Sequence, residues 1–154
     1  QPSYPMKYEE FRLDEQLKEI IMKFYWRLEE ANLDISYHLP EVTIRADKEL
    51  LTNVWENLLS NAIKYNRLNG SIEVSLLETV DTIVVTMKDT GIGISNDALP
   101  QLFDRFFRVD DARKRDGTGL GLSIVKQIVT LHNGTAIVTS TVNEGTVFKI
   151  TLKK

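Results

Sequence analysis

The periodic hydrophobic pattern that runs through most of this chain stops between Asp89 and about Gly119. That stretch holds Gly91, Gly93, Pro100, a Phe/Arg cluster and the charged run Asp110–Asp116. An irregular segment this long inside a small domain is usually functional or disordered, so the regular elements on either side must form a layer that carries it. Ahead of it, residues 14–31 place Leu17, Ile20, Ile21, Phe24, Tyr25 and Leu28 at helical steps, with Asp14 set to cap them. Residues 33–39 and 42–46 alternate apolar and polar around Pro40 and predict two short strands. Asp47 is placed to cap a long helix reaching about Arg67 and closed by Asn69-Gly70; residues 71–78 and 82–88 predict a hairpin. Beyond the irregular stretch, a helix over 120–131 runs through Leu122, Val125, Ile128 and Val129. Strands over 135–141 and 146–152 follow, around a turn at Asn143–Gly145. The strands do not alternate singly with helices. The order predicts an α+β chain, a two-layer α/β sandwich with a mixed sheet and its helices on one face.

The 154 residues suit one domain, with residues 1–13 expected to be linker from a longer polypeptide and 14–154 the folded unit. With no cysteine there are no disulfides, thiolate zinc sites or cysteine nucleophiles. A net charge of −3 gives no electrostatic case for nucleic acid or an anionic membrane as partner. No run of apolar residues reaches the length of a membrane span, and the start lacks the apolar core of a secretory signal.

Four segments carry chemistry. On the long helix, Asn53, Asn57, Asn61 and Lys64 form a stripe apart from the apolar face of Leu51, Trp55, Leu58 and Ala62. A solvated face is the ordinary meaning of such a stripe, yet Asn costs about 0.5 kcal/mol against Ala at an interior helix position. Asparagines at four-residue spacing make sense if their amide oxygens face a hard cation and their NH2 groups face phosphate, with Lys64 adding a point charge. Asp89-Thr-Gly91-Ile-Gly93 follows a strand. Alone it reads first as a turn, although a carboxylate there can accept from an exocyclic amine while the glycines admit a flat ring. Gly117-Thr118-Gly119-Leu120-Gly121 opens a helix, either as a hinge or as an anion site, and matches neither the dinucleotide fingerprint nor the P-loop. Phe103, Phe106 and Phe107 interleave with Arg105 and Arg108; of the two arginines, Arg108 is the better candidate for a phosphate contact. His38 and His132 lie far apart without a ligand motif and read as structural.

Together, Asn57–Tyr65, Asp89–Ile94, Phe103–Arg108 and Gly117–Leu122 resemble the N box, first glycine box, F box and second glycine box of the catalytic ATP-binding domain of bacterial sensor histidine kinases. These kinases share a superfamily with DNA gyrase B, MutL and the heat-shock chaperones. The resemblance implies a Bergerat-type fold holding ATP and Mg²⁺ under a lid at about 95–119. It makes Asn61 the main metal ligand with Asn57 beside it, and Asp89 the reader of the adenine amine. Gly91, Gly93 and Ile94 would shape the base pocket, with Tyr65 packing near the base and Thr146 helping to bind it. Lys64 and Arg108 would meet phosphate. Gly117, Thr118, Gly119, Leu120, Gly121 and Leu122 would frame the lid and the phosphate end.

Hydrolytic relatives carry a glutamate four residues before the metal-binding Asn. This chain has Asn57 there, which cannot act as a base, and Glu56 is turned by about 100° around the helix. Phosphoryl transfer is therefore expected over hydrolysis, with Asn57, Lys64 and Arg108 assisting it. Neither His38 nor His132 precedes an acidic residue, so the acceptor histidine is expected on an upstream dimerisation segment absent from this chain. The resemblance further implies a response regulator as partner, a monomeric fragment of a homodimeric protein, and a cytoplasmic domain tethered to a membrane. The competing readings are a serine kinase of the anti-sigma-factor type and a nucleotide-binding regulatory module without transfer activity.

Overall fold

A computed structural model describes residues 5–103 and 118–154, apart from the side chains of 118–120. The main sheet has five strands in the order β2 (Asp34–His38), β4 (Ser71–Glu78), β5 (Thr82–Asp89), β7 (Gly145–Lys153) and β6 (Thr135–Thr141). β2 runs parallel to β4, and every other pairing is antiparallel. Alternation decides the buried face: Ile72, Val74 and Leu76, then Ile83, Val85 and Met87, then Phe148, Ile150 and Leu152 point inward, whereas Glu73, Lys88 and Lys149 stay exposed. Helices α3 (Lys48–Lys64) and α4 (Thr118–Leu131) supply the facing layer through Leu51, Val54, Trp55, Leu58, Leu122, Val125 and Val129. This is the mixed-sheet sandwich expected from the order of elements.

The first quarter of the chain departs from expectation. Tyr8–Arg12, within the segment read as linker, is a strand (β1) paired antiparallel with β3 (Thr43–Asp47). Only Phe11 is buried along it, so it carries almost no pattern. The helix expected over 14–31 is two, α1 (Leu13–Lys23) and α2 (Tyr25–Glu30), separated at Phe24 with φ −95° and ψ 4°. The Phe24 amide still donates to Ile20 and Ile21, and the buried stripe continues through Phe24 to Leu28. The break therefore leaves the helical period intact. Asp14 does not cap α1, because Arg12 holds the capping position. Asp14 lies buried inside the first turn, where its carboxylate takes 2.9 and 2.7 Å bonds from the Arg12 guanidinium and a 3.0 Å bond from the Val42 amide.

Asp47 does cap α3, accepting from the Leu50 amide at 3.1 Å. The helix ends at Lys64 rather than near Arg67, and Asn69 turns the chain with φ 63°. Trp55 is wholly buried and donates its indole N–H to Gln16 Oε1 at 2.8 Å; Gln16 Nε2 reaches Lys48 O and Thr52 Oγ1, so the buried amide is satisfied. His132 is buried as well. Its Nδ1 lies 2.8 Å from Ile128 O and its Nε2 accepts from the Asp47 amide at 3.1 Å. Both nitrogens are used internally, which makes it a clamp between the end of α4 and the start of α3. His38 is exposed on β2.

The Arg12 guanidinium holds Asp14 well below the usual carboxylate range, with the Val42 amide adding to it and burial opposing it. Asp14→Ala strands the Val42 N–H and is expected to lower stability by about 1–3 kcal/mol at pH 7. Stability from this carboxylate is present above its unfolded pKa and lost as pH falls through the depressed folded one. Urea midpoints of variant and wild type should therefore converge only below about pH 4.

Candidate functional site

A cleft opens where the last turn of α3, the end of β5, the loop after it, the first turns of α4 and the head of β7 meet. A narrow cavity of about 40 Å³ is lined by Asn61, Tyr65, Asp89, Ile92, Gly93, Ile94, Leu102, Leu122, Thr146 and Phe148. Seven of these (Asn61, Tyr65, Asp89, Gly93, Ile94, Leu122 and Thr146) were expected from sequence. Ile92, Leu102 and Phe148 were not, although Phe148 lies two residues beyond Thr146 and so on the same face of β7. The walls are mostly apolar and the polar groups few, the usual build of a site for a flat ring.

Asp89 ends β5 opposite Thr146 in register. Its Oδ1 accepts from the Gly91 amide at 2.8 Å. Partial burial among Ile92, Ile94 and Phe148 pushes its carboxyl up to about 6, while bonds from the Gly91 and Thr146 amides pull the other way. Gly91 does not line the cleft as expected. It closes the loop, helped by the neighbouring Ile92 amide, which donates to Tyr65 O at 3.0 Å. Gly93 has φ +76°, and a Cβ there would strike the Thr141 carbonyl. This position needs glycine on both counts. Asn143 N donates to Ile92 O at 2.7 Å, so the β6–β7 turn braces the same loop.

The asparagine stripe differs in one respect from expectation. Asn57 Nδ2 donates to Asn53 O at 2.7 Å and Asn61 Nδ2 to Asn57 O at 3.0 Å, each one turn back along the helix. One N–H of each NH2 group is thus used inside α3, which leaves one for a ligand. A backbone carbonyl can only accept, so this bonding fixes which amide atom is turned back and leaves Oδ1 as the outward atom. The cation half of the expectation fits this arrangement. Asn61 lines the cleft; Asn57 lies one turn away, where a Cβ on Gly121 would sit 2.8 Å from its Oδ1. α4 approaches α3 this closely because residue 121 is glycine.

Lys64 is exposed beside the cleft, with Nζ 6.0 Å from the Tyr65 ring centroid. Glu56 points to α1, where it pairs with Lys23 Nζ at 2.6 Å. Phe103 packs edge-on against Phe148 with centroids 6.1 Å apart. Thr118, Gly119 and Leu120 belong to α4 by backbone. Arg105, Phe106, Phe107, Arg108 and Gly117 lie outside the described residues. Ser140, which carried no sequence signal, bonds to the Ile94 amide, Gly145 O and Thr146 Oγ1 at the floor of the cleft.

Residues 46–154 match the family described as histidine kinase-, DNA gyrase B- and HSP90-like ATPase. The chain is 35% identical over 146 residues to the heme sensor protein HssS of Staphylococcus saprophyticus, covering 95% of this chain and 31% of that protein. It is 42% identical over 127 residues to the sensor histidine kinase CusS of Escherichia coli, covering 80% of this chain and 26% of that one. It therefore spans less than a third of the length of either relative. Among solved structures, the nucleotide-free catalytic domain of histidine kinase ThkA superposes with a TM-score of 0.86 at 27% identity, covering 97% of this chain and 99% of that one. ThkA has also been solved in complex with a response regulator protein, TrrA. The family match covers more than half of the chain, and the chain belongs to the histidine kinase-, DNA gyrase B- and HSP90-like ATPase family.

Proposed function

We propose that this chain is the ATP-binding catalytic part of a sensor histidine kinase, which binds Mg·ATP in the cleft and passes the γ-phosphoryl group to a histidine on an upstream dimerisation segment. The observation that carries the proposal is Asp89: a carboxylate half-buried beside apolar walls, ionised at neutral pH and able only to accept, as an adenine amine requires. The aliphatic and aromatic walls take the ring faces, and Asn61 Oδ1 is directed outward at the rim where a bound metal ion and the phosphates would lie. Bound magnesium would neutralise charge on the phosphates. An amide oxygen is a neutral, weak ligand, so the nucleotide itself must bring most of the charge that holds the ion. Lys64 stands at the same rim and supplies a further positive charge. Glu56 is committed to Lys23, and position 57 is an amide, so neither position offers a free base to activate water. This favours transfer to a protein acceptor over hydrolysis. We further propose a response regulator as the next partner and a homodimeric, membrane-tethered cytoplasmic setting for the whole protein. Among the described residues no helix is long and apolar enough to cross a membrane.

Calorimetric titration with a non-hydrolysable ATP analogue is expected to show one site whose affinity rises with Mg²⁺. Asn61→Ala should remove that metal dependence and weaken binding at least tenfold; binding that Asn61→Ala leaves untouched would exclude this cleft. Mixed with a His-containing dimerisation segment and ATP, the chain should give acid-labile phosphohistidine on the segment and none on itself. Acid-stable phosphoserine on a partner would instead favour the anti-sigma-factor type.

Asp89 also sets a stability trade-off. Its raised folded pKa means that ionisation is resisted in the fold, so the folded state loses stability as pH rises from about 4 through about 6. Asp89→Asn is expected to raise the stability of the nucleotide-free chain at pH 7 by about 1–3 kcal/mol while abolishing the shift that ATP analogue gives the wild type. Thermal melts between pH 4 and pH 7 should show that stability gap closing towards the acid end.

A further inference from the structure

Ser140 Oγ sits at the crossing of three hydrogen bonds. It donates to Gly145 O at 2.8 Å, accepts from the Ile94 amide at 2.7 Å, and lies 2.9 Å from Thr146 Oγ1. The direction of the third bond follows from counting protons. A serine hydroxyl has one, and the Gly145 carbonyl, which can only accept, takes it. Ser140 must therefore accept from Thr146, whose single proton is then turned away from the cleft. Thr146 is buried and lines the cavity, so what its oxygen offers a ligand is lone pairs alone. Asp89, its register partner across β5 and β7, offers lone pairs too. Two acceptors face one edge of whatever ring enters.

We infer that Ser140 is a positioning residue that fixes the proton of Thr146, and that by doing so it makes this edge of the cleft select a purine with an exocyclic amine over one with a keto oxygen. The inference rests on the nucleotide reading above and adds to it a residue that does not line the cavity. An amine at the purine 6-position brings two N–H donors to the paired acceptors. A keto oxygen there would face lone pairs on both sides. Without the serine, the Thr146 hydroxyl is free to turn its proton into the cleft and satisfy that oxygen. The third bond of Ser140, from the Ile94 amide, ties the same hydroxyl to the loop forming the opposite wall, so the polarity of the edge and the position of the wall depend on one side chain.

ATP and ITP test this because they differ only at that edge of the base. Affinities for both, measured by calorimetry with Mg²⁺, are expected to favour ATP strongly in the wild type. Ser140→Ala should lower the ATP-to-ITP ratio about tenfold, mostly by improving ITP, the size of one ordinary hydrogen-bond preference. In a Thr146→Val background Ser140→Ala should leave the ratio unchanged, since the serine acts only through that hydroxyl. A Ser140→Ala ratio equal to wild type, or one that moves equally in both backgrounds, overturns the inference; equal loss of both nucleotides does so too, because it marks a merely structural role. Should Ser140→Ala fail to fold, Thr146→Val alone decides: its ratio must fall, and an unchanged one overturns the inference. A wild type that binds neither nucleotide overturns the nucleotide reading and this inference with it. A wild type that prefers ATP by a margin the serine does not touch overturns only the role of Ser140.

Discussion

Two strand registers converge on one residue. β5 pairs with β7 so that Asp89 lies opposite Thr146, and β6 pairs with β7 so that Ser140 lies opposite the same Thr146. Side chains alternate between faces, so slipping either strand by one residue would turn Thr146 or its partner to the outer face. The core prevents such a slip. Phe148, Ile150 and Leu152 share the inward face with Thr146, and exposing them would cost on the order of 2 kcal/mol each. The polar floor of the cleft thus sits where the packing of these three apolar side chains puts it, and the site inherits its precision from the sheet.

The opposite wall is set by helix packing. α3 offers its apolar face to the sheet and its asparagines to α4, and the close approach of Gly121 brings the two helices together at Asn57. Asparagine is a poor helix former because its side chain competes for backbone bonds. In α3 that competition is turned to use: each amide nitrogen of Asn57 and Asn61 bonds back by one turn, and each Oδ1 is left outward. The same property that weakens the residue as a helix former orients it as a ligand.

Much of this was legible in the sequence where a period of two or 3.6 was forced by burial. β4 and β6 occupy the expected residues, and Asp47 caps α3 as its position implied. Legibility failed where burial imposes no period. β1 buries a single side chain, and the Phe24 break preserves the spacing of the buried stripe while changing only one residue's dihedrals. Asp14 had the composition of a cap, but its carboxylate was recruited by Arg12 and by Val42, a residue distant in sequence. In the site, motif residues were readable because their types are unusual for their places. Leu102 and Phe148 are apolar residues with ordinary reasons to be buried, and Ser140 acts through bonds that only the β6–β7 register creates.

A half-buried carboxylate that resists ionisation, a buried threonine oxygen and an outward amide oxygen meet at one cleft. They share a physical character: all present acceptor lone pairs to a ligand. A ligand that brings donors at its ring edge and a cation at its phosphate end would complement all of them together, whereas a ligand lacking either would leave part of the set unpaired. Discrimination in such a site comes less from added attraction for the right ligand than from the penalty of burying unmatched acceptors against a wrong one. The cost of ionising Asp89 in the empty fold then adds to the selectivity set by the Thr146 oxygen, since a carboxylate already comfortable in its surroundings would gain little from an amine.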